Sequence, residues 1–111
     1  MNQDFHCALD VTMHFIGGKW KAVVIWYLQY GKKRFGELKA LIPDITDKML
    51  SIQLKALIQD GLVSRKVYAE VPPRVEYELT EEGKTLVPIV QQIAKWGRAK
   101  AEKEGRLVLD E

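Results

Sequence analysis

The stretch Val71-Pro72-Pro73-Arg74-Val75-Glu76-Tyr77-Glu78-Leu79-Thr80 restricts the fold of this chain more than any other. Two consecutive prolines exclude a helix there, because neither carries an N–H and each constrains the residue before it. Apolar and charged residues then alternate from Val75 to Leu79, the period of a half-buried strand. Upstream, Leu62-Val63-Ser64-Arg65-Lys66-Val67-Tyr68 is a second strand candidate, and Ala69–Pro73 between them is short enough for a hairpin. In the turn, the prolines remove no ladder hydrogen bond.

The other candidate elements read as helices. Cys7–Ile16 is a short helix candidate closed by Gly17-Gly18. From Lys19, the residues Trp20, Val23, Val24, Trp26, Tyr27 and Leu28 predict a buried helix ending at Gly31. A charged turn, Lys32-Lys33-Arg34, leads into a short helix over Phe35–Ile42 that Pro43 stops. Thr46 is the expected N-cap of a helix running to about Asp60, with Gly61 just past its end. On that helix Leu50, Leu54, Leu57 and Ile58 share one side, and Lys48, Ser51, Ile52, Lys55 and Gln59 the other. After the hairpin, Thr80 caps a last helical region with Glu81 and Glu82 in its first turn. Its apolar stripe is Leu86, Ile89, Val90, Ile93 and Trp96; Pro88 is expected to kink or interrupt it, and Gly105 to end it. The tail from Arg106 to Glu111 has no assignment.

Helix, helix, turn, helix, hairpin is the order of a winged helix-turn-helix: mainly α with a small β-hairpin, in one domain over residues 1–111. In such a fold the helix after Thr46 enters the major groove of double-stranded DNA. Lys48, Ser51, Lys55 and Gln59 have the chemistry for phosphate and base contacts. The outward Ile52 (or Met49) suits a thymine methyl group. Arg74 at the hairpin tip, with Arg65 and Lys66 on the other arm, is placed for flanking phosphates or the minor groove. Charge agrees. Lys32 to Arg74 holds nine basic and five acidic residues, a net of +4 in a chain whose total is +2. A solvated surface with scattered lysines would look similar on charge alone.

These motifs together resemble the HxlR family of bacterial winged-helix regulators, more distantly related to MarR-type proteins. The resemblance is carried by Cys7, Ile16-Gly17-Gly18-Lys19-Trp20, Arg34-Phe35-Gly36-Glu37-Leu38, Met49-Leu50-Ser51-Ile52-Gln53-Leu54, Asp60-Gly61-Leu62-Val63, the Pro72–Thr80 segment, Gly83 and Trp96, over about residues 7 to 97. It implies a homodimer on a palindromic operator, with residues 1–18 and 80–104 as dimerisation helices and 19–79 as DNA-binding core and wing. Trp96 is then a dimer-core residue. It also implies a thiol switch at Cys7, although the proline often found beside this cysteine is absent (Ala8, Leu9). A cysteine that opens a helix lies at the positive end of its dipole, where a thiolate is favoured. As the chain's one cysteine, Cys7 would pair with a second subunit or a small thiol. The bland reading is a small residue with no sensing role.

Other functions are weaker expectations. An aromatic effector would sit among Trp20, Tyr27 and Trp96. A protein-interaction or architectural module would keep the fold without needing Lys48, Lys55 or Arg74. His6, Cys7 and His14 match no zinc-ligand spacing. No nucleophile–base pair or glycine-rich phosphate loop points to an enzyme, and no cofactor is expected. No apolar run approaches the roughly 20 residues of a membrane span, and the polar start (Asn2, Gln3, Asp4) does not read as a signal peptide. The expected location is the cytoplasm.

Overall fold

The computed structural model describes residues 4–108; positions 1–3 and 109–111, which the expected domain limits and tail include, lie outside the described residues. The elements are α1 (Ala8–Ile16), α2 (Lys21–Leu28), α3 (Phe35–Leu41), α4 (Asp47–Gln59), β1 (Val63–Tyr68), β2 (Arg74–Leu79), α5 (Glu81–Lys84) and α6 (Val87–Lys103). This is a helical domain with one antiparallel two-stranded hairpin.

Local chemistry explains most boundaries. The Thr46 hydroxyl accepts a hydrogen bond from the Met49 N–H at 3.0 Å and caps α4. At the other end Gly61 has a φ of +77°, the left-handed conformation that lets the chain leave the helix. The Glu37 carboxylate, one turn into α3, accepts from the Arg34 N–H at 2.7 Å. The final helical region divides in two. The Thr80 hydroxyl caps α5 by accepting from the Gly83 N–H, and α6 starts afresh with Pro88 in its first turn. That position tolerates proline, because an N–H there has no helical acceptor; Pro88 interrupts the region and does not kink α6.

The core lies where α2, α3 and α4 meet the base of the hairpin. Val24, Ile25, Leu38, Leu50, Leu54 and Leu57 are fully buried, joined by Val63 and Leu79 from the strands and Val90 from α6. The turn between α3 and α4 is anchored by Ile42 and Ile45, both buried, which fixes the angle between these two helices. Trp20 packs against the core, with the Lys19 ammonium 4.7 Å above its ring.

The hairpin is tied to the body along a second edge. Lys33 and Tyr77 exchange backbone hydrogen bonds of 2.9 and 2.8 Å, so the charged turn before α3 pairs with β2 as a one-residue bridge. The wing base is thus held from both sides.

α1 and α6 are less covered. The radius of gyration is 15.3 Å, against about 13 Å for a compact domain of this length. Leu9, Val11 and Met13 on α1, and Ile89, Ile93 and Trp96 on α6, are exposed. The α6 stripe read from the sequence therefore splits: Val90 enters the core, while Ile89, Ile93 and Trp96 face outward.

Candidate nucleic-acid interface

α4 buries Leu50, Leu54 and Leu57 and turns the opposite side outward. Lys48 and Lys55 are exposed there, Ser51 is partly so, and Ile52 is 47% exposed.

The hairpin meets this face along one side only. In the ladder Arg65 lies opposite Tyr77, and Lys66 opposite Glu76. Neighbouring residues of a strand point to opposite faces, so Arg65 and Lys66 part company. Arg65 turns toward α4 and shares with Ser51, Lys55 and Gln59 a concavity of ≈ 470 Å³ whose remaining lining is Leu54, Ile58 and Tyr77. Three expected contact residues, Ser51, Lys55 and Arg65, thus converge, with Lys48 and Ile52 further along the same exposed face of α4.

Lys66 and Arg74 belong to the other face of the wing. The Lys66 ammonium lies 4.9 Å above the Tyr68 ring, and the Arg74 guanidinium 3.8 Å from the same ring's centre. Arg74 also makes ion pairs with Glu70 at 2.9 Å and Glu76 at 3.0 Å. A second cation, Lys32, stands 3.5 Å from the other Glu76 oxygen. Burial alone would push the Glu76 carboxyl upward. The Tyr68 hydroxyl and the Lys32 and Arg74 cations outweigh it and hold the group below the ordinary carboxylate range.

Lys32, Tyr68, Glu70 and Glu76 were not among the site residues expected from the sequence. Part of the signal was there: Arg74 and Glu76 are two apart on a strand and must share a face. Lys32 arrives from a remote turn, and no local pattern announces it.

Cys7 is exposed and is the N-cap residue of α1, its carbonyl accepting from the Val11 N–H at 3.3 Å. The apolar groove between α2 and α6, ≈ 320 Å³, is lined by Ala22, Val23, Trp26, Tyr27, Val90, Ile93 and Ala94. Of the three aromatic residues expected to surround an effector, Tyr27 lines it, and Trp20 and Trp96 do not. Among the described residues no group of three or more His, Cys, Asp or Glu side chains is placed to hold a metal ion. None of the described helices is long and apolar enough to cross a membrane.

The family model described as HxlR-like helix-turn-helix matches residues 15–105. The uncharacterised HTH-type transcriptional regulator YkvN of Bacillus subtilis (strain 168) is 52% identical over 100 residues, covering 90% of this chain and 85% of YkvN. The redox regulator HypR in its oxidised form superposes with a TM-score of 0.81 at 49% identity, over 84% of this chain and 96% of HypR. The reduced form of the transcriptional regulator YodB from B. subtilis gives a TM-score of 0.72 at 36% identity, over 83% of this chain and 91% of YodB.

Proposed function

Because the chain belongs to the HxlR-like helix-turn-helix family, whose members are DNA-binding transcriptional regulators and not enzymes, we propose that it acts as a homodimer on a palindromic operator, with α4 in the major groove and the hairpin as a wing on the flanking backbone. The observation that carries this reading is the convergence of Ser51, Lys55 and Arg65 on one concave surface beside the exposed Lys48 and Ile52. Lys48, Lys55 and Arg65 neutralise phosphates, Ser51 reads a base edge or phosphate, and Ile52 packs on a thymine methyl group. Lys66 and Arg74, on the outer face of the wing, meet the backbone beyond the α4 site. The exposed apolar residues of α1 and α6 pair two protomers about a two-fold axis. That places the two α4 helices one DNA turn, or a multiple of it, apart. Such a regulator works in the cytoplasm, beside the genome.

The test is binding of purified protein to its own upstream DNA, followed by fluorescence anisotropy over a range of salt concentrations. A dimer carries every contact twice, so Lys55→Gln flattens the slope of log K against log salt by about 1.8. An unchanged slope removes Lys55 from the interface. Absence of binding by the unsubstituted protein would instead favour an interaction module.

Cys7 is the proposed sensor. It is exposed at the start of a helix, and the similar structures include redox regulators. Its thiol, once oxidised, forms a disulfide with a second subunit or a small thiol, and α1 carries that change to the dimer. Mild oxidation with diamide lowers operator affinity at least about tenfold, which corresponds to about 1.4 kcal/mol of coupling, and Cys7→Ser abolishes the response. Equal loss in Cys7→Ser would show that oxidation acts elsewhere. No loss in either protein would leave a regulator with a small-molecule effector or none.

A further inference from the structure

We propose that Glu70 is a built-in competitor for phosphate at the wing: it occupies the outer edge of Arg74, and DNA engages Arg74 only by displacing it. The proposal rests on the DNA-binding reading above and adds to it a residue that sets discrimination between operator and bulk DNA.

The geometry distinguishes the two acids around Arg74. Glu76 takes Nη1 at 3.0 Å and is only 11% exposed, enclosed by Lys32 and the strand face. Glu70 takes the other two directions with one oxygen, Oε2, at 3.1 Å from Nε and 2.9 Å from Nη2, and is 50% exposed. The Nε–Nη2 edge of a guanidinium is a two-donor fork that matches a phosphate as well as a carboxylate. The inner contact with Glu76 and the Tyr68 ring 3.8 Å away hold the guanidinium plane in place. The outer contact is exchangeable: an exposed ion pair contributes little, and Glu70 needs only a side-chain rotation to leave. A phosphate arriving on that edge finds an oriented arginine, with Lys66 beside the same ring.

The exchange separates specific from non-specific complexes. With Glu70 in place the cluster of Lys32, Lys66, Arg74, Glu70 and Glu76 carries a single net positive charge, and a loosely seated wing gains no phosphate contact from Arg74. An operator that seats α4 brings the backbone close enough to replace the carboxylate.

Five proteins decide the matter: the unsubstituted chain, Glu70→Gln, Arg74→Gln, the double variant of these two, and Lys55→Gln as the reference. Each is titrated against a random-sequence duplex and against its upstream DNA over a range of salt. Glu70→Gln steepens the salt slope on random DNA by up to about 1.8 per dimer, tightens that binding several-fold, and lowers the operator-to-random ratio. In the Arg74→Gln background the same substitution changes the slope little. An equal gain in both backgrounds would mean simple removal of a repelling charge and would overturn the proposal. So would an unchanged slope in Glu70→Gln when Lys55→Gln flattens it, an outcome that leaves the DNA-binding reading intact. If the unsubstituted chain binds neither duplex, both readings fall.

Discussion

Replacing Ile93 and Trp96 together by glutamate converts the protein to a monomer and weakens operator binding by about 10²–10⁴-fold, the factor lost when two linked half-site contacts become independent. Ile93 is 55% exposed and Trp96 70% exposed, so neither substitution opens a cavity in the protomer. Full burial of such a side chain contributes about 1.5–3 kcal/mol. Two-fold symmetry repeats the loss on the partner, and carboxylates in a closed apolar seam add a desolvation cost. Sedimentation velocity reads the assembly and anisotropy reads operator affinity, while a single cooperative thermal transition of the variant, lowered only by the loss of the partner, establishes that the protomer still folds. A variant that stays dimeric would move the interface off α6. A monomer that keeps its operator affinity would refute the two-fold binding mode.

How far such a face can be read from sequence depends on whether its signal is local. The β2 boundaries, Arg74–Leu79, coincide with the sequence reading, because the prolines and the alternation act within a few residues. Thr46 and Gly61 bound α4 for the same reason: a cap and a left-handed glycine are local chemistry. The α6 stripe was legible as apolar, but periodicity cannot tell which neighbour covers it. Val90 meets the core and Ile93 does not, a distinction created only by where α2 packs. The bridge from Lys33 to Tyr77 joins residues far apart in sequence, and backbone groups pair there whatever their side chains. The candidate site divides the same way. Alternation alone separates Arg65 from Lys66, although both were expected to grip phosphates together. The Arg74–Glu76 pair follows from their two-residue spacing, whereas the seat of Arg74 on Tyr68 and of Lys66 opposite Glu76 requires the register of the whole hairpin.

Gly83→Ala destabilises the protomer by about 3 kcal/mol or more, at or beyond the upper end of overpacking costs, because the obstacle is backbone. A Cβ at Gly83 would overlap the Leu62 carbonyl oxygen and press on its carbon. That carbonyl cannot withdraw freely, since it accepts from the Thr80 N–H at 3.1 Å. The Thr80 hydroxyl in turn donates to the Gly61 carbonyl at 2.6 Å and accepts from the Gly83 N–H at 3.0 Å. One clasp therefore joins the end of α4, the start of β1, the end of β2 and the first turn of α5, and a single methyl group strains all four. The melting temperature falls by roughly 12–24 °C, from about 4–8 °C per kcal/mol for a domain of this size. Loss on this scale removes a large share of the 5–15 kcal/mol or so that holds a typical domain folded, and it loosens the wing base before the helical core. Gly36→Ala is the matched control. It lies within α3 with nothing within 4 Å of an added Cβ, and alanine there is expected to stabilise the helix by roughly 0.5–1 kcal/mol. Differential scanning calorimetry of both variants at one protein concentration separates the cases. A Gly83→Ala transition within a degree or two of the unsubstituted protein would mean that β1 and α5 do not approach as closely as the clasp requires.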